Sequence, residues 1–352
     1  MNSEFCEFTV SVIIVSWNAR EYLMQCLASL SAEEDRLPME IIVVDNASSD
    51  GSADEVAACY PDVRLIRNTE NLGFAKANNM AVSVCTGKYL CFVNSDVKVL
   101  PHCVSRLVSF CEENPDVAIA GPRVIGADGK LQRSCLGFPT VWNTFCRALA
   151  LDELFPRTRA FTGHKLYHWP QESLKSVDVL TGCFWLVRRE ALTQVGLLDE
   201  EFFMYAEDMD WCKRFWAKGW KVFFVPSAEA IHYGGASSSN APVRFYLEMQ
   251  RANLQYWKKH HSCFSVASYF VILCMQELLR AAAYSIAALI KGPAREVFQF
   301  KMRRSATCLK WLIFSGLAWK FHEPKRSRNF QALEPLRKRL GRKWDLNPGG
   351  TE

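Results

Sequence analysis

The sequence predicts an α/β protein: a Rossmann-like, mostly parallel sheet flanked by helices, followed by a C-terminal helical region. Three observations carry this. Short β-branched runs alternate with stretches of helical period over the first 120 residues, those runs are apolar on both faces, and the chain changes character after about residue 243. Alternating strands and helices build βαβ units, whose parallel sheet is buried under helices on both sides.

The elements follow in order. Residues 10–15 (VSVIIV) and 40–44 (EIIVV) read as buried strands, with a helix over 20–30 between them that places Tyr22, Leu23, Cys26, Leu27 and Leu30 at helical spacing. A helix at 52–60, a short strand at 63–66, an Ala/Asn-rich helix at 74–84 and a strand at 89–93 (YLCFV) come next. Pro101 opens a helix running to Glu113, and 117–120 is a fifth strand. Asp128-Gly129 marks a hairpin turn. Residues 138–171 show no clear period and read as a variable loop region. Order returns with a strand over 177–187, helices Arg189–Val195 and Glu207–Ala217, and strands at 221–225 and 230–231. A helix over 244–260 precedes two apolar runs, 263–275 and 281–290, separated by Gln276, Glu277 and Arg280. We divide the chain into a catalytic α/β domain at 9–243 and a helical, basic region at 244–352, whose last 30 residues are expected to be poorly ordered.

Charge follows the same division. The net charge is +5, but from Glu248 onward there are 19 Lys+Arg against 7 Asp+Glu. The basic end is therefore set to meet something anionic, and the rest of the chain is net acidic. The 14 cysteines show no C-x-x-C pair and no zinc-type quartet, and several lie in apolar runs. Glu4 and Glu7 precede the first apolar run, unlike a signal peptide. These features point to a reducing, cytoplasmic setting.

In an open α/β sheet, ligands bind beyond the carboxyl ends of the strands. Here those ends are consistently polar: Ser16-Trp17-Asn18, Asp45-Asn46 through Asp50-Gly51, Asn68 with Asn71-Leu72-Gly73, and Asn94-Ser95-Asp96. Turn preference accounts for part of this pattern. The chain has neither a G-x-G-x-x-G nor a P-loop motif, which argues against a dinucleotide fold or a bare-phosphate cradle. An acidic rim suits a phosphate that arrives with Mg²⁺ or Mn²⁺.

These motifs resemble those of the family 2 glycosyltransferases with the GT-A fold. The matching stretches are VIIVSWN at 12–18, IVVDNASSDG at 42–51, NLGFA at 71–75, FVNSDV at 92–97, GPR at 121–123 and TGCFWLVRR at 181–189. FFMYAEDMDWC and IHYGG follow within 196–235. Within the family the chain is most similar to the rhamnosyltransferase-like branch of cell-surface polysaccharide assembly.

The resemblance implies roles. Ser16, Trp17, Asn18, Asp45, Asn46, Asn71, Gly73, Asn94 and Ser95 are expected to bind a nucleotide-sugar, with Asp50 nearby. Asn94-Ser95-Asp96 corresponds to the family's D-x-D motif with its first acid replaced by Asn, which leaves Asp96 and His232 as the expected holders of Mg²⁺ or Mn²⁺. Asp208 corresponds to the catalytic base, with Glu207 as its helper and Asp210 as a third acid that reads as structural. Trp185 is a candidate acceptor-site residue, with core packing as the alternative. Arg188 and Arg189 are candidate phosphate contacts, with capping of the next helix as the alternative for one of them. Helix-start acids are also common for purely electrostatic reasons.

The expected partners are a nucleotide-sugar donor, a glycan or lipid-linked acceptor and a membrane surface, with no nucleic acid. Neither apolar run at 263–290 is long enough to span a bilayer alone, so interfacial or packed helices are expected, and the stretch 309–321 with the basic residues after it fits an interfacial element. This places the protein in the cytoplasm, peripheral on the inner face of the plasma membrane. Two other readings remain open: a sugar nucleotidyltransferase, and a non-catalytic, membrane-associated polysaccharide-binding protein.

Overall fold

The computed structural model describes residues 9–32, 37–234, 242–289 and 294–316. Its first half runs β1 (Val10–Ser16), α1 (Arg20–Ser31), β2 (Met39–Asp45), α2 (Ser52–Cys59), β3 (Arg64–Arg67), α3 (Phe74–Val82), β4 (Tyr89–Asn94), β5 (Val97–Val99), α4 (Cys103–Glu113) and β6 (Val117–Gly126). The second half continues with β7 (Cys135–Leu136), α5 (Val141–Ala148), α6 (Leu151–Leu154), β8 (Lys175–Ser176), β9 (Val179–Leu180), β10 (Phe184–Arg188), α7 (Arg189–Val195), α8 (Glu207–Ala217) and β11 (Lys221–His232). Helices α9 (Pro242–His260), α10 (Cys263–Ala287) and α11 (Ala294–Gly316) close the described chain.

The main sheet has the order β3-β2-β1-β4-β10-β6-β11-β5, with β8 also on β11. Strands β3, β2, β1 and β4 are parallel neighbours. Strand β10 runs antiparallel between β4 and β6. Strand β11 is parallel to β6, while β5 and β8 oppose it. The sheet is mostly parallel, as expected, and mixed where β10 enters. Alternation along β1 explains why both faces are apolar. Ile13 packs into one core, and Val10, Val12 and Ile14 into the other. Leu23 and Leu27 of α1 and Leu107 of α4 fill the second core, while Ala81 of α3, Leu192 of α7 and Phe215 of α8 fill the first.

Several local expectations change. The 138–171 stretch contains helices α5 and α6. Thr140 and Asn143 cap α5 reciprocally, through Asn143 N to Thr140 Oγ1 (3.2 Å) and Thr140 N to Asn143 Oδ1 (2.8 Å). The usual third-position Glu or Gln of that box is Asn here, which hides the signal. The single strand expected at 177–187 is split into β9 and β10, and the segments at 221–225 and 230–231 join in β11 across an irregularity between Val225 and Glu229. Helix α4 starts at Cys103, because His102 adopts a left-handed φ of 62°. The Asp128-Gly129 turn does close a tight hairpin, with Ile125 bridging Leu131.

The two apolar runs expected at 263–290 form one 25-residue helix, α10, which is long and apolar enough to cross a membrane. Its polar interruption faces inward. Glu277 is fully buried, and its Oε1 accepts from Tyr246 Oη on α9 (2.5 Å) and from Arg280 Nη1 (3.4 Å). Its other face exposes Phe264, Val271, Leu278 and Ile286, spaced by seven or eight residues and so aligned along one stripe. Tyr256, Trp257, Tyr269 and Leu312 of α9–α11 share the core that holds Ile13. The expectations for the stretch 309–321 beyond Gly316, and for the basic end, lie outside the described residues.

Candidate active site

Parallel register brings the polar strand ends together. Ser16 lies beside Asp45, and Val15 beside Asn94. The cavity beyond them is lined by Trp17, Asn46, Asn71, Gly73, Asn94, Ser95, Asp96 and His232, and also by Val15, Phe74, Phe203, Met204, Tyr205 and Phe245. Eight of the residues singled out in the sequence therefore meet in one place.

Asn46 braces the wall. Its Nδ2 donates to Asn71 Oδ1 (2.9 Å) and Gly73 O (3.2 Å), and its Oδ1 accepts from Leu72 N (2.9 Å) and Asn68 Nδ2 (3.1 Å). Gly73, at φ +81°, sits directly under Phe203. This requires glycine: the conformation is reserved for it and the approach leaves no room for a side chain. The loop that presses down carries two further left-handed residues, Tyr205 (φ 70°) and Ala206 (φ 62°), just before α8.

Other expected donor contacts do not line this cavity. Ser16 and Asp45 are buried; Ser16 O accepts from Asn46 N (2.8 Å), and Asp45 Oδ2 accepts from Ser48 N (3.2 Å). Asn18 Oδ1 holds Ser49 N (2.8 Å), and Asp50 Oδ2 accepts from Arg20 N (2.9 Å). These side chains shape the loops after β1 and β2. Trp185 is corrected. It is fully buried, packs edge-on against Phe74 and Phe92, and donates from Nε1 to Leu180 O (3.1 Å), so it is a core residue out of an acceptor's reach. Arg188 is corrected too: it is buried, and its Nε donates to Val117 O (2.9 Å). Arg189 Nε donates to Gly87 O (2.5 Å), at the amino-terminal end of β4 and away from the cavity.

Asp96 and His232 come from strand ends 136 residues apart and meet with Oδ1 to Nε2 at 3.1 Å. Gln132 Oε1 lies 2.8 Å from His232 Nδ1 and fixes the orientation of the ring. Nε2 is the ring atom turned to the carboxylate. A carboxylate oxygen and an imidazole nitrogen converging on one point suit a borderline cation such as Mn²⁺. Among the described residues no group of three or more His, Cys, Asp or Glu could hold a metal. The donor set therefore fits an ion that takes its remaining ligands from water and a phosphate ligand.

Glu207 and Asp208 open α8, where the helix dipole favours acids. Burial pushes Asp208 up to about 6, opposed by hydrogen bonds from backbone N–H groups including that of Gly182. Burial, and then the Asp208 charge, pushes Glu207 well above the usual carboxylate range, and its Oε2 is buried with no hydrogen-bond partner. Two adjacent acids with separated proton affinities can divide a proton-accepting and a proton-holding role. Cys183 lies in the field of both Asp96 and Asp208, although neither Glu207 nor Asp208 lines the cavity itself. Asp210 is structural, as expected. Burial would raise it, but His260 Nε2 (2.7 Å), Arg214 Nε (2.8 Å) and Lys259 Nζ (2.7 Å) outweigh burial and hold it well below the usual range.

Sequence reasoning missed several residues here. Phe203, Met204, Tyr205 and Phe245 line the cavity, and Arg244 and Arg251 lie in an adjoining recess with Phe203 and Phe245. The run FFMY before Glu207-Asp208 was the available signal for the first three. Nothing local marks the others.

Residues 11–196 match the model of glycosyl transferase family 2. The chain belongs to that family. It is a glycosyltransferase, and the nucleotidyltransferase and non-catalytic readings fall away. An N-acetylglucosaminyl-diphospho-decaprenol L-rhamnosyltransferase from Mycobacterium tuberculosis is 29% identical over 265 residues, covering 71% of this chain and 84% of the relative. The rhamnosyltransferase WbbL of Escherichia coli is 28% identical, over 64% of this chain and 83% of its own. Among solved structures, a mannosyltransferase from Pyrobaculum calidifontis in complex with GDP-Man and Mn²⁺ superposes with a TM-score of 0.52 at 18% identity, covering 87% of this glycosyltransferase and 88% of that chain. The fold is of the GT-A type.

Proposed function

We propose that this glycosyltransferase moves a sugar, rhamnose in the first instance, from a nucleotide-diphosphate donor to a sugar carried on a polyprenyl diphosphate, with inversion, during cell-surface polysaccharide synthesis. The observation that carries the reading is the pairing of Asp96 with His232 at 3.1 Å inside the cavity at the strand ends, with Asp208 near enough for its charge to act on the same Cys183 as that of Asp96. The similarity to the M. tuberculosis rhamnosyltransferase supports the choice of acceptor and sugar.

The nucleotide lies against Trp17, Asn71 and Gly73, and Asn94 and Ser95 orient the diphosphate and sugar. Asp96 and His232 would hold Mg²⁺ or Mn²⁺, which supplies charge neutralisation at the leaving diphosphate. Asp208 takes the proton of the acceptor hydroxyl as its oxygen bonds to the anomeric carbon, and the bond from that carbon to the diphosphate oxygen breaks on the opposite face. Glu207, kept protonated, leaves Asp208 as the single anion facing the acceptor. The exposed stripe on α10 rests on the inner face of the plasma membrane, where a lipid-linked acceptor resides.

The test is a panel of nucleoside-diphosphate sugars, each with Mg²⁺ or Mn²⁺ and an N-acetylglucosaminyl-diphospho-lipid. Release of nucleoside diphosphate with a glycosylated lipid from a rhamnose donor is the expected result. Absence of turnover with every donor overturns the reading.

A further inference from the structure

An acceptor joined to its lipid through a diphosphate brings two or more negative charges to the Asp208 side of the site. Lys165 lies in the field of Asp208 and Arg147 in the field of Lys165; both side chains are half-buried, and neither cationic head group is hydrogen-bonded or ion-paired among the described residues. Both come from the segment between β7 and β8, which the sequence left as an aperiodic loop.

The backbone fixes where they stand. Lys165 follows His164, whose Nδ1 lies 2.7 Å from Gly137 O and whose carbonyl accepts from Gly137 N at 2.9 Å. A Cβ on Gly137 would lie 2.2 Å from Gly163 O, so this double clasp needs a glycine. Gly137 prolongs β7. The partner of β7 is β9, and β9 leads within two residues to Gly182, whose N–H donates to Asp208. Arg147 lies in the last turn of α5, which packs on α10, and its charge reaches both Lys165 and Tyr269 of α10.

Burial, and then the charge of Arg147, lowers Lys165 to about 8. Asp152 reaches Lys165 electrostatically without pairing with it, and its own Oδ1 is buried without a hydrogen bond. Two like charges held close and partly out of water destabilise a fold unless an anion joins them. The same segment exposes apolar side chains: Trp142 on α5, Leu154 on α6 and Phe155 are more than half exposed, and α5 packs on α10.

We propose that Arg147 and Lys165 bind the diphosphate that links the acceptor sugar to its lipid. The sugar hydroxyl then faces Asp208, and the lipid leaves along the exposed apolar residues of α5, α6 and α10. An Arg fork and a Lys point charge are a common pairing for a diphosphate. This rests on the polyprenyl-diphosphate reading above.

The experiment compares two acceptors with the full-length enzyme: farnesyl-diphospho-N-acetylglucosamine and the phosphate-free farnesyl glycoside. In the R147A/K165A double variant the KM for the diphosphate acceptor should rise more than tenfold, and the preference for it over the glycoside should collapse. An R147K/K165R variant, which keeps both charges, should recover most of the preference. Equal changes for the two acceptors, or an unchanged preference, overturn the assignment while leaving the proposed function standing. If the wild-type enzyme uses neither acceptor, the functional reading fails, and calorimetry of farnesyl diphosphate in EDTA still decides the cation pair. Binding at least tenfold weaker in the double variant supports the pair, and equal binding or none refutes it.

Discussion

A Cβ placed on Gly73 would lie 2.3 Å from the carbonyl oxygen of Phe203, and that same oxygen accepts from Phe74 N at 2.7 Å. The floor of the cavity at the strand ends and the loop leading to Asp208 are therefore one packed unit. Gly73→Ala meets both the clash and a backbone conformation that costs a non-glycine residue about 1–3 kcal/mol. We expect a Tm lower by several degrees together with at least tenfold weaker donor binding, read by thermal melts and calorimetry. A variant with unchanged affinity would show that the loop does not shape the donor cavity.

Asp208 at about 6 sets a pH dependence. In the proposed role its carboxylate form is the base, so kcat/KM should fall on the acid side with an apparent pKa near 6 and level off above about 7. Removing the nearby positive charge with Lys165→Met should move that limb to higher pH, because Lys165 favours the charged form. Asp208→Asn should lower kcat by roughly 10²–10⁴ and leave donor affinity within twofold. An acid limb that stays put in Lys165→Met argues that the two side chains do not interact.

The same shift predicts a stability change. A carboxyl whose folded pKa exceeds its unfolded value of 3.8 binds more protons when folded, so its contribution falls as pH rises between 3.8 and about 6. Asp208→Asn should therefore melt higher than wild type at pH 8 and lose that advantage at pH 4. Equal melting temperatures at pH 8 would contradict the burial of this charge.

Chelation and substitution test the Asp96–His232 pair. EDTA, Asp96→Asn and His232→Ala should each weaken calorimetric binding of the nucleoside diphosphate at least tenfold. Gln132→Ala, which releases only the outer hydrogen bond on His232, should cost less than His232→Ala. Binding that ignores EDTA would leave the pair as a plain hydrogen bond.

The α10 stripe predicts membrane behaviour. Replacing Phe264, Val271, Leu278 and Ile286 with Ser should reduce co-sedimentation with anionic vesicles several-fold while the Tm holds, since these side chains are exposed. Cutting the chain near residue 245 is a poor test, because Tyr256 and Trp257 of α9 lie in the main core and their loss should unfold the domain. Unchanged sedimentation of the four-Ser variant would dismiss the stripe as a lipid contact.

The strand ends were legible in the sequence because each lies within one short motif and parallel register does the rest. Asp96 could be read from FVNSDV, and Asp208 from YAEDMD. Trp185 could not be placed, because an aromatic on a strand looks the same whether it faces a sugar or Phe92. Strand β10 reads as an ordinary buried strand, and nothing local says it runs antiparallel. Lys165 was invisible, since it is brought near Asp208 by the Gly137–His164 clasp and the β7–β9 pairing, and Arg147 was invisible because α5 itself was not read.

Asp210, two residues after the base on the same helix, is bonded to both Lys259 and His260 at the end of α9. Residue 243 marks a change in composition, yet the helices beyond it share the core of the sheet. The C-terminal helices cannot be traded between relatives as an independent module. A graft that lacks matching partners for Asp210 would strand a buried charge beside the proposed base, and would lose transfer activity before its lipid contacts were ever put to use.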